Sequence, residues 1–189
     1  MACAARALEG FYRREKLPAG GHDGARIDWA RAFGLPVPIV NTRARLEVLP
    51  YHDVHHLVTG YVTDEAGEAE VGAWSLGTGD GPAVGRVYDL GTFLLGLARW
   101  PRRTAAAFVR GRHGHNLYDV PVGELLATEE AVLRRRAGAD RAAQAATWRD
   151  RLALLVIAVE AAAWWLTPAA PLFMALTVAR EALLPWPER

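Results

Sequence analysis

One cysteine in 189 residues, Cys3, excludes an intramolecular disulfide framework and a cysteine-built zinc site, so any metal must be held by histidine and carboxylate. An excess of charge is also missing. Lys plus Arg (22) stand against Asp plus Glu (21), a net charge of +1, which offers no basic field to a phosphate backbone; no nucleic-acid partner is expected. The first fifteen residues contain no unbroken apolar stretch, because Arg6 and Glu9 interrupt it, so no cleavable secretory signal is expected. Strand-type alternation is scarce, and no period of roughly 20 to 50 residues repeats. The glycine-rich stretch 77–85, GTGDGPAVG, lacks the Gly-Lys-Ser/Thr ending and the preceding strand of a phosphate loop, and reads as a helix C-cap and turn. Disorder is excluded by a composition that is 51% hydrophobic and 23% charged.

What remains is helical, and the expected fold class is all-α: a compact helical domain over 1–149, then a hydrophobic helical hairpin or membrane segment over 150–189. Segments 4–15 and 27–33 read as helices around the loop LPAGGHDG. Pro36 and Pro38 force an extended path, after which Asn41 or Thr42 can cap a helix. Pro50 suits a first helical turn, which places a helix over 51–59 stopped by Gly60. A loop over 61–67 leads to a helix over 68–76. Over 83–100, Val87, Leu90, Leu94 and Leu97 recur at three- and four-residue steps as one buried stripe, ended by Pro101. Helices over 102–112 and 122–136 flank the polar loop GRHGHN.

The chemistry concentrates in a short run. His52, Asp53, His55 and His56 fall within five residues. On a helix His52 and His56 stack one turn apart, and Asp53 lies on the flank of that face, so the three occupy an arc of roughly 100°. His55 projects to the other side. Neutral imidazole and carboxylate together suit a borderline divalent ion, zinc first and iron as the alternative, and a two-His, one-carboxylate set leaves positions open for water or substrate. Eleven residues separate His56 from Glu68, which can turn back across the short loop as a fourth ligand. Glu70, roughly 200° around that helix, is expected to face outward. The competing reading is a solvated helix surface on which Asp53 pairs with Arg43 or Arg45. His113 and His115 are loop candidates for an acid or base near the site.

The run HDVHHLVTGYVTDEAGE resembles the signature of the Coq-four family of ubiquinone (coenzyme Q) biosynthesis proteins: His-Asp-x-x-His, eleven residues, Glu, with His56, Leu57, Thr59, Gly60 and Tyr61 in an HxLTGY-like segment and Gly67–Glu68 as a GE pair. The likeness covers about 50–76, supported by NLYD at 116–119. It implies an all-α protein with a zinc-type site on His52, Asp53, His56 and Glu68, peripheral on a membrane and acting on polyprenylated benzoquinone precursors. The implied roles are C1 decarboxylation with hydroxylation, or a scaffold that organises other quinone-biosynthetic proteins. Metal-assisted hydrolysis is a third reading, short of the extra His/Asp ligands it requires.

A polyprenyl ligand needs an apolar slot, which the striped helix could line with Val87, Leu90, Phe93, Leu94 and Leu97; filling the core is the other use of such a stripe. In the tail, Glu160 is the only charge in the 28 residues from Leu152 to Ala179. Pro168 and Pro171 split it into pieces too short to span alone, leaving a kinked span, a re-entrant or interfacial hairpin, or a hairpin covering the domain or a homo-oligomer interface. Arginines before it (Arg134, Arg135, Arg136, Arg141, Arg149 and Arg151) favour a cytoplasmic membrane face, and Trp164 and Trp165 suit an interface.

Overall fold

The computed structural model describes residues 3–32, 34–79, 81–142 and 144–182. The chain is mostly helical, with one two-stranded sheet. Helix α1 (Ala4–Glu15) buries Leu8, Phe11 and Tyr12, a three- and four-residue step pattern, and ends at Lys16 in the left-handed region. A single 3₁₀ turn (Ala19–Gly21) leads to strands β1 (Ile27–Ala32) and β2 (Leu35–Val40), antiparallel with Ile27 opposite Val40 and Ala32 opposite Leu35. Over 27–32 the helix expected for 27–33 is therefore a strand, its last position lying outside the described residues. A segment of seven residues is too short for an isolated helix, and the proline-extended chain beside it offers a pairing partner instead. Two strands are both edges, which is where Pro36 and Pro38 are tolerated.

Helix α2 (Arg43–Thr59) starts eight residues before the expected position, because the Thr42 hydroxyl accepts the Arg45 N–H at 3.1 Å. Pro50 lies inside it, forgoing the one bond its nitrogen cannot give to the Leu46 carbonyl. Gly60, at φ +80°, ends the helix with its N–H on the His56 carbonyl. Helix α3 (Glu65–Thr78) starts three residues before the expected 68, since Asp64 accepts the Gly67 N–H at 2.7 Å. Helix α4 (Ala83–Arg99) and helix α5 (Pro101–Arg112) follow, with Pro101 opening α5. The helix expected over 122–136 is two, α6 (Val122–Ala127) and α7 (Glu130–Arg136). Between them the chain is extended because Ala4 donates to the Thr128 carbonyl at 2.7 Å and Cys3 bridges to Glu129.

Helix α8 (Trp148–Trp165) opens on a capping box between Thr147 and Asp150, and helix α9 (Ala169–Ala182) turns away from it by 63°. Among the described residues no single helix is long and apolar enough to cross a membrane; only the bent α8 and α9 pair together has the length and composition. The stripe of α4 is core: Leu90 and Phe93 pack with Phe108 of α5 and with Leu154, Ile157 and Ala161 of α8. A second apolar cluster joins α1, α2, Trp74, α6 and α7. Trp165 donates to the Val87 carbonyl at 3.0 Å while remaining 38% exposed, and Trp164 packs edge-on against Phe173. Three of the arginines before the tail are likewise engaged within the fold: Arg134 on the Leu57 carbonyl, Arg136 on Asp119, and Arg141 on the His113 carbonyl.

Candidate metal centre

The last two turns of α2 carry the histidines, and their end is held from outside the helix. Arg110 donates to the Thr59 carbonyl at 3.0 Å and Arg134 to the Leu57 carbonyl at 2.9 Å, placing cations where the helix dipole is negative. His52 and His56 lie edge to face, ring centres 4.7 Å apart. A backbone carbonyl only accepts, so the 3.0 Å contact between His56 Nδ1 and the Tyr61 oxygen makes Nδ1–H the donor, and the neutral ring then presents a lone pair at Nε2. That nitrogen is 3.1 Å from His52 Nε2 and 3.3 Å from Glu68 Oε1; His52 Nε2 is 3.3 Å from Glu68 Oε2. Donors bound at about 2.05 Å to a tetrahedral ion stand roughly 3.3 Å apart, and an outer carbonyl holding the far ring nitrogen is the usual partner of a ligating imidazole. With one donor atom from each residue the set lies within 4.8 Å, an arrangement of donor types that could hold a divalent cation.

Electrostatics tie the same three together. Burial alone would lower the His52 imidazole, but its hydrogen bond to Glu68 and the charges of Glu68, Asp53 and Asp89 outweigh this and hold it up at about 9. Burial would raise Glu68; the charges and hydrogen bonds of His56 and His52 keep it far below the usual carboxylate range instead.

Asp53 is placed differently. Its Oδ2 accepts the Tyr12 phenol at 2.7 Å, under Gly21, outside the His52, His56 and Glu68 cluster yet close enough for its charge to act on His52. Arg45, a partner considered for it, bonds Asp28 and Asn41. His55 is on the opposite side: its Nε2 accepts the Leu117 N–H at 3.2 Å, and its ring packs edge-on against Trp74 and Tyr118. Burial, then the nearby His52 and His56, pull it down to about 3, so it is a neutral core histidine that binds the 116–119 segment to α2. His113 lies 3.6 Å from Asp150 at the start of α8, and His115 is exposed. Glu70 does not face outward as expected: it is half-buried and accepts two hydrogen bonds from Arg103 of α5, at 3.0 and 2.7 Å.

One carboxylate beside the site escapes sequence reading. Asp89 of α4 is buried with Ser75 and Tyr118 around a small cavity, and its charge reaches His52 and Glu68. Burial raises it to about 6, against the opposing pull of His52 and the Ser75 hydroxyl. Its signal was an acid one turn before Phe93 on an otherwise apolar stripe. On the other side of Tyr118, a cavity of about 770 Å³ opens between α2, the start of α4 and α9, lined by Leu46, Val48, Tyr51, Val84 and Phe173 among others.

Compared with models of protein families, with curated proteins and with solved structures, the chain matches none.

Proposed function

We propose that this chain is a membrane-associated metalloprotein of ubiquinone or isoprenoid-quinone biosynthesis, related to the Coq-four family and working at the cytoplasmic face. The observation that carries the reading is the convergence of His52, His56 and Glu68 from two helices, the imidazole nitrogens 3.1 Å apart and each 3.3 Å from one of the two Glu68 oxygens. In this reading those residues hold zinc, or iron as the alternative, with Asp53 as the further ligand or its immediate neighbour. Bound there, the ion supplies Lewis-acid polarisation of a substrate carboxylate and, if it is iron, redox chemistry suited to C1 decarboxylation and hydroxylation of a polyprenylated hydroxybenzoate. The chain's own groups have separate tasks. Tyr61 fixes the His56 tautomer through its carbonyl, Tyr12 fixes Asp53, and Asp89 is a buried carboxyl able to hold or accept a proton beside the site. The cavity beyond Tyr118 has the size and apolar lining for part of an isoprenoid chain.

A second reading rests on the fact that the cluster cross-ties α2 to the first turns of α3: a metal there can serve to brace a non-catalytic, lipid-binding scaffold for quinone-biosynthetic enzymes. Metal analysis of purified protein decides the shared premise. One divalent ion per chain is expected, lost in His56→Ala and in Glu68→Ala; unchanged metal in both variants refutes the site. Asp53→Asn that keeps its metal then separates the readings, since it abolishes turnover in the enzyme and leaves complex assembly intact in the scaffold. Lipid extraction of the same preparation should release a polyprenyl compound.

A further inference from the structure

The bent C-terminal pair, α8 and α9, uses one face inside the fold and leaves the other without an internal partner. Leu152, Leu155 and Val159 on α8, Leu166 in the bend that follows it, and Leu172 and Leu176 on α9 are each between 52 and 76% exposed. Their three- and four-residue steps place those on the helices along one side of each. The opposite side is occupied, Leu154, Ile157 and Ala161 packing on α4 and α5 and Trp164 on Phe173. Between Arg151 and Arg180 the only charged residue is Glu160, and it is turned inward, accepting from Arg86 Nε and Nη2 at 2.8 and 2.6 Å. Charge returns only at the margins: Arg149 and Arg151 are exposed at the start of α8 and Arg180 near the end of α9. The Arg149 guanidinium lies 5.4 Å over the ring of Trp148, which is itself exposed.

We propose that this face is a docking surface for a bilayer carrying anionic headgroups, on which the bent helix pair lies in the plane of the interface instead of crossing it. The proposal rests on the membrane-associated part of the reading above and gives it a surface and a lipid chemistry. An uninterrupted apolar face rimmed by arginines and a tryptophan is the arrangement that buries side chains at the headgroup boundary while the guanidinium groups reach phosphate. The 63° bend and the absence of a single spanning helix among the described residues fit shallow insertion. Charge complementarity favours lipid over a second copy of the chain. A two-fold dimer through this face would offer the rim arginines no free acid among the described side chains, since Asp150 is buried and Glu160 is taken by Arg86.

The test uses the full chain with vesicles of phosphatidylcholine alone and of phosphatidylcholine with a minority of phosphatidylserine, read by co-sedimentation. Binding to the anionic vesicles is expected to exceed binding to the neutral ones, to weaken with salt, and to drop about fivefold with each of Arg149→Ala, Arg151→Ala and Arg180→Ala. Leu152→Asp with Leu176→Asp, both at exposed positions, should lower partitioning about a hundredfold with melting temperature and metal content unchanged. If that double variant binds as well as the parent, the contact lies elsewhere and the assignment fails while membrane association survives. A parent chain that ignores both vesicle types removes both. Resistance to extraction by alkaline carbonate overturns the in-plane arrangement, and a dimer that the double variant dissociates, without vesicle binding by the parent, gives the face to a second copy.

Discussion

His52 and Glu68 make the candidate centre sensitive to pH in opposite senses with and without metal. In the metal-free chain the His52 ring is held up at about 9 against an ordinary 6.5, so its contribution is complete below 6.5 and is lost as pH rises through 9. Glu68 is depressed, so its contribution is present above its ordinary 4.5 and is lost as pH falls. Chelator-treated protein should therefore lose stability as pH rises from about 6.5 toward 9.5, by on the order of 2 kcal/mol after allowing for a ring that is 28% exposed. Metal affinity should run the other way, rising about tenfold per pH unit between 6.5 and 9, because ligation requires the neutral ring. Thermal melts with and without chelator, and zinc titrations across that range, measure both; a flat metal-free profile refutes the ion pair. Tyr12→Phe tests the neighbouring contact. It leaves the buried Asp53 carboxyl without its phenol donor, at a cost of about 1–3 kcal/mol, and most of that loss should vanish in an Asp53→Ala background.

At the scale of elements, α3 is approached closely from its neighbours because glycines face them. A Cβ at Gly77 would stand 2.3 Å from the Phe108 carbonyl oxygen, and one at Gly111 would stand 2.1 Å from that of Trp74. Backbone meets backbone there, so neither side can yield by rotating a side chain. Gly111→Ala should destabilise the protein by about 3 kcal/mol or more in denaturant unfolding. Gly123 in α6 is the control, with nothing within 4 Å of its added Cβ; Gly123→Ala should gain about 0.5 kcal/mol from helix propensity alone. Element boundaries show where local reading stops. The stripe on α4, the Gly60 stop and the Pro101 start follow from residues a few positions apart. The strand at 27–32 depends on a partner that follows it, and the break at 128–129 depends on Cys3 and Ala4, more than a hundred residues away.

For the whole molecule, the C-terminal helix pair belongs to the core as much as to the surface. Helix α8 covers Leu90 and Phe93 and supplies the carboxylate that pairs with Arg86. Deleting the chain from Arg151 onward should consequently abolish cooperative thermal unfolding and produce aggregation, seen as a broadened circular-dichroism melt and a void-volume peak. A truncated chain that stays monomeric and melts sharply would show that α8 is dispensable to the core. Membrane binding is better tested by substitutions on the outward stripe than by truncation, since they leave the packed side of the helix intact.

By itself the sequence determined the helical class, the apolar C-terminal helices and the four-residue spacing of His52 and His56, because 3.6-residue periodicity, proline and glycine punctuation and histidine spacing act over one or two turns. The tertiary structure alone decided which of those residues meet. It joined Glu68 to both imidazoles, gave Asp53 to Tyr12, enclosed His55, and brought Asp89 to the site from a separate helix. Each of these depends on the angle and distance at which helices cross, and those are set by side chains remote in sequence, such as the glycines that let α3 and α5 touch.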